Sequence, residues 1–276
     1  MSVAEVEELF PQLRPRTVTT IEEGWDSLVL EVDGEWIVRV PRRRHVRECL
    51  AMEAQLLPAL AGALPAAIPR FEHVADGGRA VAYRKLPGSP VDGSDAGIGE
   101  QLGRFLAALH AFPTEEARAL GAPSHDRDWR GRYESFARGV LGRAGRLLAD
   151  DLRRAEAMVS AYLDEPANFA FAPRVTHSDL GPAHVLARDG RLTGVIDWSD
   201  ARIGDPAIDL AWTLHGTPPA FAEAVLAGYG DDDPRLAERA LFFHRLGPWY
   251  ELHYGIHFHR PAYVESGLAG VRVRLP

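Results

Sequence analysis

The 276-residue sequence has a single cysteine, Cys49, which excludes an internal disulfide and a thiolate metal cluster. No uncharged apolar run reaches the ~18 residues that a membrane helix needs, and the best candidate, Leu56 to Ile68, is interrupted by two prolines. Basic residues are outnumbered 39 to 31 by acidic ones, which argues against nucleic-acid binding. The first residues are acidic where a signal peptide would be basic, so we expect a cytoplasmic protein that binds neither nucleic acid nor membrane.

The first part of the chain has the pattern of a β-sheet. Apolar-rich runs that flank a glycine-containing turn predict two hairpins: residues 27–32 with 35–40, and residues 70–74 with 79–86. Between the hairpins, periodicity predicts a helix from Arg44 to Leu57, with Pro58 marking its end or a kink.

The later part is mostly helical. Residues 87–97 (PGSPVDGSDAG) have linker composition, and helical patterns follow, interrupted by one hairpin around Asp189-Gly190. We expect three regions: an N-terminal lobe over residues 1–88, a linker over 89–97 and a helical C-terminal lobe over 98–276.

Ionisable side chains are concentrated between Val175 and Leu210. They include His177, Asp179, His184, Asp197, Asp200, Asp205 and Asp209. If Asp189-Gly190 forms a two-residue turn, His184 faces Val195, and Asp197 lies on the diagonal on the same face, within reach of a shared ion. Asp179 lies on the loop before the hairpin. The sequence therefore predicts a metal pair with a candidate base beside it.

One carboxylate lies on the apolar stripe of the first helix. Glu53 has the same helical spacing as Val46, Leu50, Leu57 and Leu60 and so lies on their face of the helix. A buried carboxylate needs a cationic partner, and Arg39 on the preceding strand is the natural candidate. Alternatively, Glu53 lies in solvent at the edge of the stripe, and Glu48 is the partner of Arg39.

Two motifs resemble a known family. Residues 177–184 are similar to the H-x-D-x-x-x-x-N core of protein kinases and small-molecule kinases, with histidine in place of the asparagine. Residues 196–211 match I-D-W-x-x-A-x-x-G-D-P-x-x-D-L-A, which resembles the aminoglycoside phosphotransferase family, macrolide kinases included. The resemblance extends from about Ile21 to Leu214. It implies a two-lobed, protein-kinase-like α+β fold with a small sheet lobe carrying one helix and a larger, mostly helical lobe.

The resemblance also implies a role for each residue of the catalytic region. Asp179 matches the aspartate that accepts the proton of the attacking hydroxyl, and Asp197 matches the Mg²⁺-binding aspartate. His184 replaces the usual asparagine and is expected to be the second Mg²⁺ ligand. His177 and Asp209 are expected to support the loop structurally. Independently of the resemblance, Asp205 and Asp209 are expected to cap or brace the helix that follows them.

The nucleotide, ATP or GTP, is expected to bind between the lobes. The Arg39–Glu53 pair resembles the ion pair that positions the nucleotide phosphates, although the family usually supplies lysine. Gly24 and Ser27 lie in the segment that matches the nucleotide-covering loop. The backbone from Arg84 to Leu86 is expected to contact the base.

The function implied is transfer of a γ-phosphoryl group to a hydroxyl of an aminoglycoside, a macrolide or a basic cyclic-peptide antibiotic. Residues after 88 include 20 basic and 26 acidic side chains, which favours a cationic acceptor. Expected acceptor contacts are Asp200, Trp249, Tyr250 and Glu251, and a monomer or weak dimer is expected. The alternatives are a kinase of a metabolic alcohol such as choline or homoserine, a kinase-like binding module without turnover, and a zinc hydrolase.

Overall fold

A computed structural model describes residues 1–23, 26–124, 128–230 and 233–276. Its N-terminal part is an antiparallel sheet of five strands in the order β1-β2-β3-β5-β4. The elements of this part are helix α1 (Val3–Leu9), strands β1 (Val18–Glu23), β2 (Ser27–Val32) and β3 (Trp36–Pro41), helix α2 (Arg44–Ala61), and strands β4 (Phe71–Val74) and β5 (Val81–Arg84). Both predicted hairpins are therefore present.

The turn between β2 and β3 shows why the first hairpin forms there. Asp33 and Gly34 both have positive φ, 54° and 72°, which is the backbone of a tight hairpin turn. The Asp33 carboxylate also accepts hydrogen bonds from the backbone N–H groups of Arg16 and Thr17, at 3.1 and 2.7 Å. The turn residue thus secures the start of β1 as well as the hairpin.

Helix α2 is longer than its sequence pattern predicts. Pro58 lies within the helix, which ends at Ala61, so of the two outcomes predicted for this proline the helix end is wrong, and the kink stays a prediction. The Pro58 ring is exposed, whereas Leu56, Leu57 and Leu60 are fully buried. Burial of each leucine contributes about 1.5–3 kcal/mol, which together outweighs the ~3 kcal/mol that an internal proline costs.

The C-terminal part is a helical bundle that encloses short strands. Its elements are β6 (Ser89–Pro90), α3 (Ala96–Ala111), α4 (Thr114–Ala119), α5 (Trp129–Leu148), α6 (Leu152–Leu163), β7 (Arg174–Thr176), β8 (Val185–Arg188), β9 (Arg191–Val195), β10 (Arg202–Gly204), α7 (Ala207–His215), α8 (Pro219–Tyr229), α9 (Leu236–His257) and α10 (Pro261–Arg274). Among the described residues, none of these helices has the length and apolar character needed to span a bilayer.

The segment with linker composition is ordered along the hairpin of the C-terminal part. Its strand β6 pairs with β8, and α3 begins at Ala96, where the Asp95 side chain accepts a hydrogen bond from Gly97 N at 2.8 Å. Helix α2 also contributes Leu56 and Leu60 to the large core beneath the hairpin. A cleft is lined by Val29 of β2 and Arg39 of β3 together with His184 and Asp197, which flank the β8–β9 hairpin. The division at residues 89–97 stays a prediction.

Candidate active site

The β8–β9 hairpin has a different register from the one predicted. Arg188 faces Arg191 as expected, but a bulge between Leu186 and Ala187 shifts the remaining pairs, so Val195 faces Val185 rather than His184. Beyond the strands, Ile196 N donates to the His184 carbonyl at 2.9 Å. The predicted diagonal geometry of His184 and Asp197 is therefore wrong, because the extra residue changes the face of the ladder.

A backbone turn brings Asp197 to His184 nonetheless. Asp197 has φ 64°, a left-handed conformation that is uncommon for a residue other than glycine. Asp197 Oδ2 lies 3.8 Å from His184 Nε2, and ligand atoms of Asp179, His184 and Asp197 all lie within 4.8 Å of one another. Backbone strain of this kind is often found at functional sites.

The hydrogen bond of the His184 ring shows which of its two nitrogens is available to bind a metal ion. Its Nδ1 lies 2.6 Å from the backbone carbonyl oxygen of Asp179, which can only accept. Nδ1 therefore carries the hydrogen, and a neutral ring has its lone pair on Nε2, the nitrogen nearest Asp197. Metal-binding histidines are commonly oriented by such a bond from the other ring nitrogen.

Asp209 supports the loop that carries Asp179. Its carboxylate accepts hydrogen bonds from the backbone N–H groups of His177 and Ser178, at 2.8 and 2.7 Å. The His177 ring is fully buried, its Nε2 donates to the Ile196 carbonyl at 2.9 Å, and burial lowers its pKa so that the ring stays neutral. These bonds fix the loop against the strand that leads to Asp197.

His110 belongs to the same support and was not identified from the sequence. Its Nε2 lies 3.1 Å from Asp209 Oδ2, and its Nδ1 lies 2.7 Å from the Tyr229 hydroxyl. It is buried on α3 together with Leu106 and Leu109. A histidine beside such a stripe was a signal, since a buried imidazole needs partners, but the partners lie 99 and 119 residues away.

Asp205 lies in a separate buried ion pair. Its carboxylate receives two hydrogen bonds from Arg239, at 2.8 and 3.1 Å, and a third from Ala207 N at 3.0 Å, at the start of α7. Arg239 also pairs with Asp233. Asp205 therefore anchors α7 to α9.

The predicted pair of Arg39 and Glu53 is present. Arg39 Nη1 donates to Glu53 Oε2 at 2.8 Å, and both side chains are buried, whereas the alternative partner Glu48 is exposed and pairs with Arg44. Arg39 Nη2 also lies 3.7 Å from Asp197 Oδ1. The ion pair thus reaches from the sheet to the metal-ligand cluster.

Ser199 is a second residue that sequence reasoning missed. Its hydroxyl lies 2.6 Å from Arg39 Nη2, and 3.3 Å from both a Glu53 and an Asp197 carboxylate oxygen. It follows Asp197 by two positions, which was the available signal. Ser199 links the ion pair to the predicted metal ligand.

The residues predicted to contact the nucleotide have different positions relative to the cleft. Gly24 lies outside the described residues. Ser27 lines the cleft, and its buried hydroxyl has no hydrogen-bond partner among the parts of the chain that the structure describes. The Arg84 side chain lies over the Trp36 ring, 3.9 Å from its centroid, and Leu86 packs near Gly194. The expected base contacts of the Arg84–Leu86 backbone stay a prediction.

The cleft has a volume of about 660 Å³, and its walls include Asp200, Tyr250 and Glu251, whose role as acceptor contacts stays a prediction. Trp249 is fully buried in the core, so its prediction as an acceptor contact is wrong. Adjacent helix positions point about 100° apart, and in α9 it is Tyr250 that faces the cleft. Asp200 pairs with Arg202 at 2.7 Å.

The Asp179 side chain is 58% exposed where it opens into the cleft, and the surrounding protein walls partly desolvate its carboxylate. This desolvation, together with the negative charges of Asp200 and Asp197, raises its pKa to about 6, while His184 acts in the opposite direction. For Asp197, burial raises the pKa, but Arg39 and His184 outweigh it and hold the pKa below its usual value. The two carboxyl groups are therefore suited to different roles, one to exchange a proton and the other to stay ionised.

This arrangement, an aspartate on a braced loop followed by a hairpin that carries the predicted metal ligands and faced by an Arg–Glu pair, is that of a kinase-like phosphotransferase. A model of the phosphotransferase enzyme family matches residues 17–239. The chain belongs to this family and is a phosphotransferase, as predicted from its motifs. A zinc hydrolase and a binding module without turnover are not supported by this membership.

Individual relatives agree with the family. The chain is 30% identical over 230 residues to viomycin phosphotransferase from Streptomyces vinaceus, an alignment that covers 77% of this chain and 72% of the relative. This chain spans 54–72% of the length of the curated relatives that it matches.

Solved structures share the fold. The GDP and kanamycin complex of APH(2")-IIia has a TM-score of 0.89 at 26% identity, covering 98% of this chain and 97% of that one. The macrolide 2'-phosphotransferase MphH from Brachybacterium faecium has a TM-score of 0.78 at 29% identity, with 97% of both chains covered. The predicted two-lobed α+β fold is confirmed.

Replacing Glu53 with glutamine tests the role of the ion pair. We expect the nucleotide KM to rise about tenfold, because Arg39 loses the charge that holds it near the phosphate position, while the isosteric amide preserves packing. Initial rates at varied nucleotide measure this, with thermal unfolding as the stability check. Glu48→Gln, on the exposed face of the same helix, is the matched control. Equal KM values in the Glu53→Gln variant and wild type would show that the Glu53 charge is not needed to hold Arg39 for nucleotide binding.

Proposed function

We propose that this phosphotransferase transfers the γ-phosphoryl group of ATP or GTP to a hydroxyl of an antibiotic, within the aminoglycoside, macrolide or basic cyclic-peptide classes. The observation that carries the proposal is the cluster of Asp179, His184 and Asp197, whose ligand atoms lie within 4.8 Å of one another at the cleft wall. The relatives support the acceptor class, since their names include viomycin, macrolide and aminoglycoside phosphotransferases.

The donor set of this cluster fits Mg²⁺. Asp197 supplies an ionised carboxylate, the kind of hard oxygen ligand that Mg²⁺ prefers, and its lowered pKa keeps it charged. His184 places Nε2 3.8 Å from Asp197 Oδ2, while its Nδ1 is occupied by the Asp179 carbonyl oxygen. When bound, Mg²⁺ would neutralise charge on the phosphate oxygens. We assign Asp197 and His184 to hold it.

The protein itself supplies positioning and proton transfer. The acceptor oxygen forms a bond to the γ-phosphorus, and the bond from that phosphorus to the β–γ bridging oxygen breaks, which leaves the nucleoside diphosphate. Asp179 accepts the proton that the hydroxyl loses and later releases it to solvent. Arg39, held by Glu53 and Ser199, stabilises negative charge on the phosphates. Asp209 keeps the loop of Asp179 in place through its two backbone hydrogen bonds.

An acceptor panel tests the proposal. Purified protein is assayed with ATP and with GTP against kanamycin, erythromycin and viomycin, with choline and homoserine as metabolic alcohols. We expect acceptor-dependent release of nucleoside diphosphate with at least one antibiotic, and a product heavier by one phosphoryl group in mass spectrometry. Nucleotide hydrolysis that no acceptor stimulates, or transfer to choline or homoserine alone, would contradict the proposal.

A further inference from the structure

The acceptor side of the cleft carries one unexpected charge. Arg274, at the end of α10, lines the same cleft as Asp179, on a wall that also includes Gly247 and Glu251. Its Nη1 donates to the His244 carbonyl oxygen at 2.6 Å, the hydrogen bond that the described residues give this guanidinium. A second face of the guanidinium is therefore left for a ligand.

The neighbouring helix is shaped to leave room for this arginine. Gly247 lies within α9 at a position where a Cβ atom would come 3.1 Å from Arg274 Nη1. Glycine inside a helix costs about 1 kcal/mol relative to alanine, and here its missing side chain leaves space beside Arg274 Nη1. The guanidinium thus lies across Gly247, one helical turn before Glu251, which places a positive and a negative group along one edge of the cleft.

The other charges of this wall are already paired or absent. Asp200 pairs with Arg202 at 2.7 Å, and Asp26 pairs with Arg43. His244 stays neutral, because burial and then the Arg274 charge lower its pKa to about 4. Outside the predicted metal cluster, Glu251 and Arg274 are therefore the cleft-lining charges that form no ion pair among the described residues. The negative charge of the C-terminal part does not extend to this wall, where the two groups balance.

The cleft continues into an aromatic recess. A cavity of about 120 Å³ shares Ser178, Ile208 and Tyr250 with the cleft. Its other walls include Trp129, Tyr133 and Phe136, and also Arg132 and Arg202. The rings of Phe136 and Tyr250 stack at 4.3 Å between centroids. Aromatic walls favour an apolar surface. Arg202 and Asp205, which both line the recess, are already paired with Asp200 and Arg239.

We propose that Arg274 selects the acceptor: together with Glu251 it favours a molecule that has a single amine, a neutral oxygen-bearing face and an apolar surface, and it disfavours a polycation. This inference rests on the proposed function and narrows it. The amine lies toward Glu251, a carbonyl or hydroxyl oxygen accepts from the free face of Arg274, and the apolar surface enters the recess.

The test compares an acceptor that has several amines, kanamycin, with one that has a single amine, erythromycin. For Arg274→Gln we expect kcat/KM for kanamycin to rise about three- to tenfold, the size expected from one partly solvated charge. For erythromycin we expect it to fall at least about threefold, because a charged donor is lost. Arg274→Lys, which keeps the charge, should resemble wild type towards kanamycin.

Arg272→Gln is the matched control. It removes the same charge from the same helix, but Arg272 is exposed and contacts Asp151 and the Leu147 carbonyl away from the cleft. Calorimetric binding of both acceptors to each variant supplies a readout that does not require turnover. Equal changes for both acceptors, the same effect from Arg272→Gln, or no acceptor binding would overturn the inference. Transfer without this selectivity would leave the proposed function intact, whereas selective binding without transfer would contradict the proposed function alone.

Discussion

Replacing Asp179 with asparagine is expected to lower kcat by about 10²–10⁴-fold while the nucleotide Kd stays within about threefold of wild type. The amide has the shape of the carboxylate but cannot accept the proton of the attacking hydroxyl. Steady-state rates at saturating acceptor measure the first quantity, and calorimetric titration with nucleotide and Mg²⁺ measures the second. Asp200→Asn is the contrasting variant, since this neighbouring cleft carboxylate is paired with Arg202 and should retain most of the rate.

The pH profile provides a second test of the same residue. Burial and the nearby carboxylates raise the pKa of Asp179 to about 6. Because only the ionised form accepts a proton, kcat/KM of wild type should fall as the pH drops through that pKa. Bound Mg²⁺ adds positive charge, so the acid limb should move to lower pH as Mg²⁺ is raised. An acid limb that is unchanged in Asp179→Asn, or residual activity above a third of wild type, would show that another group is the base.

The residues of the catalytic loop could be predicted because their chemistry and spacing are local. Asp179 and Asp197 stand at fixed distances from a hairpin turn that Asp189-Gly190 marks in the sequence. The register of that hairpin could not be predicted. The extra residue of the bulge is Thr193, and its neighbour Gly194 is approached by the Leu86 side chain and the Ala67 carbonyl oxygen, both from the N-terminal half of the chain. Only the folded chain brings these groups to the strand.

The residues that sequence reasoning missed depend on distant parts of the chain. His110 reaches Asp209, Ser199 reaches Arg39, and Arg274 reaches the carbonyl of His244. Trp249 was misassigned for a related reason. Helix α9 has buried apolar residues around much of its circumference, so its periodicity does not identify the face that lines the cleft.

Replacing Asp197 with asparagine is expected to weaken Mg²⁺-dependent nucleotide binding at least about 10²-fold. Even residues that only orient metal ligands are worth 10- to 100-fold in affinity, and here a charged ligand is lost. Asparagine is a better substitution than alanine for this test, because Asp197 has φ 64° and asparagine tolerates this left-handed backbone. The fold should therefore be preserved, which thermal unfolding without nucleotide can verify.

The effect on metal binding can be separated from a general loss of charge in the cleft. Calorimetric titration of nucleotide at several Mg²⁺ concentrations should show a steep dependence for wild type and nearly none for Asp197→Asn. Asp200→Asn removes an equal charge from the same cleft and should keep the dependence, since Asp200 lies outside the predicted ligand set. The Asp197 charge also contributes to the raised pKa of Asp179, so residual activity of the variant should have its acid limb at lower pH than wild type. If Asp197→Asn retained the Mg²⁺ dependence of wild type, the ion would have to be held elsewhere, and the left-handed turn at Asp197 would serve only its contacts with Ser199 and Arg39.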